Sequence, residues 1–234
     1  MQLTVKDAAK FLNIPEKTIY RMIKNGEIPA CQVLDQFRFN KSELLEWALE
    51  RKINVNLDSF SQETELGANT PLPTISDALR EGGVFYRVGG KDMQSVLQSI
   101  VKILNLPESI NRELLLKVLL ARESLASTGI GGGIAIPHVR NPIIVQSAKP
   151  QIALCFPGNP VDFHAIDGKP VSALFVLICP NIRLHLYLLS RLAFILQNES
   201  FKEVLKRQGL SNEIFSVLND IDTNPVKNEE SAAE

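Results

Sequence analysis

Cysteine is scarce in this chain: three among 234 residues, at positions 31, 155 and 179. An odd number gives a poor disulfide framework, and no spacing resembles a zinc site. Cys155 and Cys179 lie in apolar runs, as core cysteines do. A reducing cytoplasm is the expected compartment. Long apolar runs are also missing. The longest, within VSALFVLICP, falls well short of the roughly 20 residues of a spanning helix, so membrane insertion is not expected. The opening MQLTVKDAAKFL carries no secretory signal pattern. Nor does one sign of charge dominate. Twenty-five basic against 26 acidic residues leave a net charge of −1, which excludes a generic polyanion binder.

What is present divides the chain. A hydrophobic fraction of 45% and a charged fraction of 22% allow one or two soluble globular domains with cores of their own. Residues 54–76 are polar and broken by Gly67, Pro71 and Pro73, and read as a flexible linker. Residues 223–234 offer one large apolar residue, Val226, and read as a disordered tail. Charge separates weakly along the same line. Residues 1–52 hold nine basic and seven acidic side chains, against 16 and 19 in the remainder.

Residues 1–53 carry a regular pattern. Thr4 with Asp7 three residues on is a capping-box start, and Val5, Ala8, Ala9 and Leu12 form an apolar helical face. Asn13-Ile14 break that helix, and Pro15 suits the first turn of the next. This second helix buries Ile19, Met22 and Ile23 and ends at Gly26. Two short β segments follow, with a turn at Asp35-Gln36, and Asn40 caps a third helix. The order is that of a winged helix-turn-helix, whose second helix enters the major groove. Its outward residues here are Lys17, Thr18, Tyr20, Arg21 and Lys24. The cations at 17, 21 and 24 share one face and suit phosphates and guanine edges. Arg38 in the hairpin is placed to reach the neighbouring backbone. Residues 3–51 resemble the excisionase-like and MerR-like helix-turn-helix families, through Thr18-Ile19-Tyr20-Arg21, Gly26-Glu27-Ile28-Pro29 and Phe37-Arg38-Phe39. The hairpin turn departs from them by lacking glycine. A second use of the same module, for dimerisation or docking, stays open.

From about Asp77 helical and strand patterns alternate, which predicts an α/β domain with a mixed sheet between helices over residues 77–222. The informative stretch runs from Arg122-Glu123 through Ser127-Thr128-Gly129-Ile130-Gly131-Gly132-Gly133 to Ile134-Ala135-Ile136-Pro137-His138. Glycines at 129, 131, 132 and 133 end a helix and begin a strand. Bare N–H groups in such a loop can hold phosphate oxygens, but no Gly-Lys-Ser/Thr follows as a Walker A motif requires. A strand ending in Pro-His follows instead. An imidazole with an ordinary pKa near 6.5 is partly neutral in the cytoplasm and can act as a nucleophile.

This run resembles the enzyme IIA domains of the phosphotransferase system, of the mannitol, fructose and nitrogen-regulatory type. Asp167-Gly168-Lys169-Pro170-Val171 and His185-Leu186 with its following leucines carry the resemblance further. Gly132 departs from it where nitrogen-type relatives often have asparagine. The resemblance implies that His138 accepts a phosphoryl group from a histidine phosphocarrier such as HPr. It also implies that Arg122 contacts phosphate and that His185 supports the loop or the phosphoryl oxygens, while Thr128 could add a hydroxyl. It implies no metal and no cofactor. His164, close to Asp162 and Asp167, reads as an exposed loop residue. Three functional readings follow. The chain is a phosphorylation-responsive regulator that couples His138 to DNA binding, with a homodimer placing two modules on one duplex. Alternatively it is a sugar-transport component passing phosphate to a IIB domain, its front module used for docking. In the third reading it is a degenerate sensor that binds regulatory target proteins without being phosphorylated.

Overall fold

The computed structural model describes residues 2–33, 35–51, 53, 55–56, 72–139 and 149–223. The chain forms two compact units, Met1–Thr70 and Pro71–Glu234. Most of the segment 54–76 read as a linker, and residues 224–234 of the expected tail, lie outside the described residues.

In the first unit a short strand β1 (Gln2–Leu3) leads into helix α1 (Val5–Leu12). Thr4 and Asp7 close a reciprocal capping box, with the Asp7 N–H on Thr4 Oγ1 at 3.2 Å and the Thr4 N–H on the Asp7 carboxylate at 3.0 Å. The Thr4 hydroxyl, which donates to Asp7 Oδ2 at 2.7 Å, and the Thr4 N–H hold the Asp7 carboxyl below its usual range. Asn13 takes the left-handed conformation at φ 53° and ends the helix. Helix α2 (Glu16–Lys24) follows, with Pro15 at its N-cap, one position outside the first turn. Strands β2 (Cys31–Val33) and β3 (Gln36–Asn40) form the hairpin, and β1 pairs on the far side of β3. In the turn that lacks glycine, Asp35 takes the left-handed conformation at φ 60°, which aspartate tolerates. Asn40 caps helix α3 (Lys41–Glu50). Phe11, Leu12, Ile19, Phe39 and Leu44 are fully buried between the helices and the hairpin. The Trp47 indole N–H donates to the Glu27 carbonyl at 2.7 Å and ties α3 to the turn after α2.

The second unit is a five-stranded mixed sheet with helices on both faces. Helix α4 (Ile75–Gly82) opens with another Thr-x-x-Asp capping box, Thr74 with Asp77, and so begins inside the segment read as linker. Strand β4 (Val84–Val88) and helices α5 (Met93–Ile103) and α6 (Arg112–Leu125) follow. Next come β5 (Gly129–Gly131), β6 (Ile134–Ala135), β7 (Gln151–Pro157) and β8 (Ala173–Ile178). Three helices end the unit: α7 (Ile182–Ile195), α8 (Glu199–Lys206) and α9 (Ser211–Thr223).

The sheet order is β4-β7-β8-β6-β5. Neighbours β4/β7 and β8/β6 are parallel, while β7/β8 and β6/β5 are antiparallel. The central strands β7 and β8 are buried along their whole lengths, so alternate residues feed two cores. Ala153, Cys155, Leu174 and Val176 meet α5 and α6, which present Val96, Leu97, Ile100, Leu115 and Leu119. On the opposite face Phe175 packs against Phe201 of α8, with ring centroids 6.3 Å apart. Burial pushes the Cys155 thiol up to about 12, as suits a core residue. Gly82 is required by close approach, because a Cβ there would lie 2.3 Å from the Ile152 carbonyl oxygen of β7.

Both edges of the sheet are irregular. Along β4 the register with β7 shifts between Phe85 and Val88, where Arg87 takes φ 54°. Along β5 it shifts between Gly129 and Gly131. Among the described residues no helix is long and apolar enough to cross a membrane.

Candidate functional site

His138 sits where the chain leaves the sheet. Ile134 and Ala135 pair with Ala173 and Leu174, and His138 bridges Leu177 in the same parallel register. Pro137 offers no N–H, and its carbonyl accepts the Leu177 N–H at 3.0 Å. The His138 side chain is 4% exposed. Its Nδ1 lies 2.7 Å from the Ile136 carbonyl oxygen. A carbonyl only accepts, so Nδ1 carries the proton and Nε2 the lone pair. The second contact agrees with this tautomer, since Arg122 Nε donates to Nε2 at 3.3 Å.

Three elements deliver the neighbouring groups. Arg122 comes from the last turn of α6, where a second guanidinium N–H donates to the Ala126 carbonyl at 2.8 Å. His185 comes from the first turns of α7, which Asn181 caps by accepting the Leu184 N–H at 2.9 Å. The rings of His138 and His185 lie 5.2 Å apart between centroids and are tilted by 41°. Arg122 and His185 are as buried as His138. A cation thus meets the ring nitrogen that carries the lone pair, with a second imidazole beside the ring, in a site largely closed to water. Such a site suits a nucleophile that takes up a compact anion, because charge–charge contacts strengthen where solvent is excluded.

Thr128 turns toward a buried carboxylate. Its hydroxyl donates to Glu123 Oε2 at 2.6 Å, and its N–H donates to Glu123 Oε1 at 2.8 Å. The glycines also go elsewhere. Gly131, Gly132 and Gly133 form the tip of the β5–β6 hairpin with φ between 65° and 87°. Gly133 is five extended positions from His138, on the order of 16 Å at the usual strand rise. The Gly132 N–H donates to Asp167 Oδ2 at 2.9 Å, and that bond with the Lys169 N–H holds the Asp167 carboxyl below its usual range. Gly129 pairs with Ala135 and packs against Ala165, where a Cβ would come within 2.7 Å. The structure therefore brings His138, His185 and Arg122 together. It sets Gly131–Gly133 at the far end of the strand, where they shape a turn. Among them the Gly132 N–H is taken by Asp167, distant in sequence. Glu123 and Asp167 were part of the quoted motifs, but no local pattern pairs either with its partner.

His164 is an exposed loop residue at φ 52°, with its Nδ1 3.3 Å from Asp162. In the first unit Lys17, Tyr20, Arg21 and Lys24 are exposed on α2, and Thr18 is half-buried. Arg38 is half-buried, and one of its N–H groups donates to Gln36 Oε1 at 2.6 Å. Among the described residues no cluster of His, Cys, Asp or Glu is arranged to hold a metal ion.

Residues 78–221 match the family described as "Phosphoenolpyruvate-dependent sugar phosphotransferase system, EIIA 2". Residues 3–52 match a model described as "Helix-turn-helix domain". The chain is similar to a nitrogen regulatory protein of Pseudomonas aeruginosa, 33% identical over 151 residues that make up 63% of this chain and 96% of that protein. It is also similar to a fructose-specific EIIABC component of Bacillus subtilis, 30% identical over 151 residues, spanning 23% of that longer protein. Among solved structures it resembles the nitrogen regulatory protein IIA-Ntr of Neisseria meningitidis. The identity is 32% and the TM-score 0.51, over 58% of this chain and 92% of that one. With a buried histidine, arginine and second histidine gathered on a mixed α/β sheet, the chain belongs to the EIIA 2 family of the phosphotransferase system and carries a helix-turn-helix domain before it.

Proposed function

We propose that the chain is a regulatory phosphoryl carrier in which His138 Nε2 takes a phosphoryl group from an HPr-type phosphocarrier, and that its charge state is coupled to DNA binding through α2. The observation that carries the reading is the contact of His138 Nδ1 with the Ile136 carbonyl at 2.7 Å. With Nδ1–H held on the Ile136 carbonyl, the Nε2 lone pair is the only ring nucleophile. It forms the new N–P bond as the donor's P–N bond breaks, and the donor imidazole leaves with the electron pair. The Arg122 N–H that now points at Nε2 turns to the phosphoryl oxygens, because the lone pair is then spent. The His185 ring stands beside it, where an N–H can reach the same oxygens. Phosphorylation adds about −1.5 to −2 charge near pH 7.

The test is incubation with phosphoenolpyruvate, enzyme I and HPr, followed by intact mass, on wild type and His138→Ala. Acid-labile phosphate on the alanine variant would overturn the assignment. The fructose-specific relative favours a second reading, transfer onward to a IIB domain with the helix-turn-helix used for docking. DNA titration with and without phosphodonor separates the two.

A further inference from the structure

Resting on the reading of His138 as acceptor, we infer that Glu123 and Thr128 are positioning residues for its tautomer and not phosphate ligands. The evidence is a series of hydrogen bonds linked through Thr128 and Ile136. Glu123 accepts from both the N–H and the hydroxyl of Thr128, at 2.8 and 2.6 Å. The Thr128 carbonyl accepts the Ile136 N–H at 3.0 Å. The Ile136 carbonyl in turn accepts His138 Nδ1–H at 2.7 Å. Every link donates the same way, from the ring toward the carboxylate.

Glu123 and Thr128 are buried at 8% and 4% exposure, so water does not compete for these bonds. A carboxylate that takes two donors from one residue fixes that residue's backbone as well as its rotamer. Thr128 is thereby held as a partner for the Ile136 N–H, one Cα away from the carbonyl that faces Nδ1. Glu123 also directly follows Arg122 at the end of α6, so one helix terminus anchors both sides of the imidazole. The Nδ1 side is fixed through Thr128 and Ile136, and the Nε2 side is met by Arg122 itself. A threonine hydroxyl committed to a buried carboxylate at 2.6 Å has no second proton to give a phosphoryl oxygen.

The test compares Thr128→Val, Thr128→Ser and Glu123→Gln with wild type in the full chain. In Thr128→Val the phosphotransfer rate at saturating HPr is expected to fall about tenfold, the low end for losing an orienting partner, with an unchanged KM for HPr. Thr128→Ser, which keeps the hydroxyl, restores the rate to within about twofold. Nitrogen-15 spectra of the His138 imidazole are expected to show one tautomer, protonated on Nδ1, in wild type and in Thr128→Ser. Thr128→Val is expected to show a mixture, and Glu123→Gln a smaller proportion of the second tautomer. Equal losses in the serine and valine variants would overturn the inference, as would a wild-type rate and a single tautomer in Thr128→Val. If wild type takes up no phosphate, the acceptor reading falls, while the tautomer populations still decide whether Glu123 and Thr128 position the ring.

Discussion

The two units open with the same device, a Thr-x-x-Asp capping box, yet they hold their candidate functional groups in opposite ways. In the first unit Lys17, Arg21 and Lys24 stand in solvent on one helix. In the second, His138, His185 and Arg122 converge from a strand end and two helices into a site almost without solvent exposure. An exposed row of cations needs only helical period to assemble, and each member acts nearly alone. A buried constellation needs the whole sheet, and each member depends on the others' positions. The difference teaches where substitutions are expected to be additive and where they are not.

The largest effect expected is in the buried set. His138→Ala is expected to abolish acid-labile phosphate uptake, a loss of at least about a thousandfold by intact mass, since no other ring nitrogen takes its place. Arg122→Ala and His185→Ala are each expected to slow transfer about 10- to 1000-fold without accepting phosphate themselves. The double variant is expected to lose less than the product of the two, because both act on one ring. Full additivity in rapid-quench rates would break the contrast between the units.

The exposed set is expected to behave the other way. Each of Lys17→Ala, Arg21→Ala and Lys24→Ala is expected to lower the salt slope of log K for DNA by about 0.9, and the triple variant by about the sum. Titration at two salt concentrations checks this, and a wild type that binds DNA no better than the triple variant would favour docking. Smaller still are the two caps. Thr4→Ala and Thr74→Ala are each expected to cost about 1 kcal/mol in denaturant unfolding.

The smallest effect concerns pH at the glycine hairpin. The Asp167 carboxyl is held below its usual range by the Gly132 and Lys169 N–H groups. It therefore contributes stability that is present above the unfolded carboxylate pKa near 3.9 and lost as pH falls through the lower folded value. Asp167→Asn is expected to flatten the acid limb of the stability curve below about pH 4 and to leave phosphotransfer near neutral pH unchanged.

Much of this was legible in the residues themselves. Helical period and caps gave α1 to α3 and the hairpin, and the run into Pro137-His138 located the strand that ends at His138. Some elements were not legible. Strand β4, VFYRV, lacks clean alternation because it is an edge strand interrupted at Arg87. Strand β1 has two residues, too few for any period. Helix α4 was hidden because its Thr74 cap follows directly on the proline-rich stretch read as linker, and α9 was not distinguished from its surroundings. At the site, local sequence cannot announce that Asp167, 35 residues beyond Gly132, takes the N–H of that glycine. The pairing of Thr128 with Glu123 likewise depends on how α6 ends against β5.

The irregular edges of the sheet bear on how copies of the protein meet. A chain that recruits another by strand addition must present a straight row of free N–H and C=O groups. At one border Arg87 turns the backbone into the left-handed region and breaks that row after two residues. At the other, the short hairpin strand shifts register within three residues and ends in left-handed glycines. Neither border of this sheet therefore presents an unbroken row for strand addition.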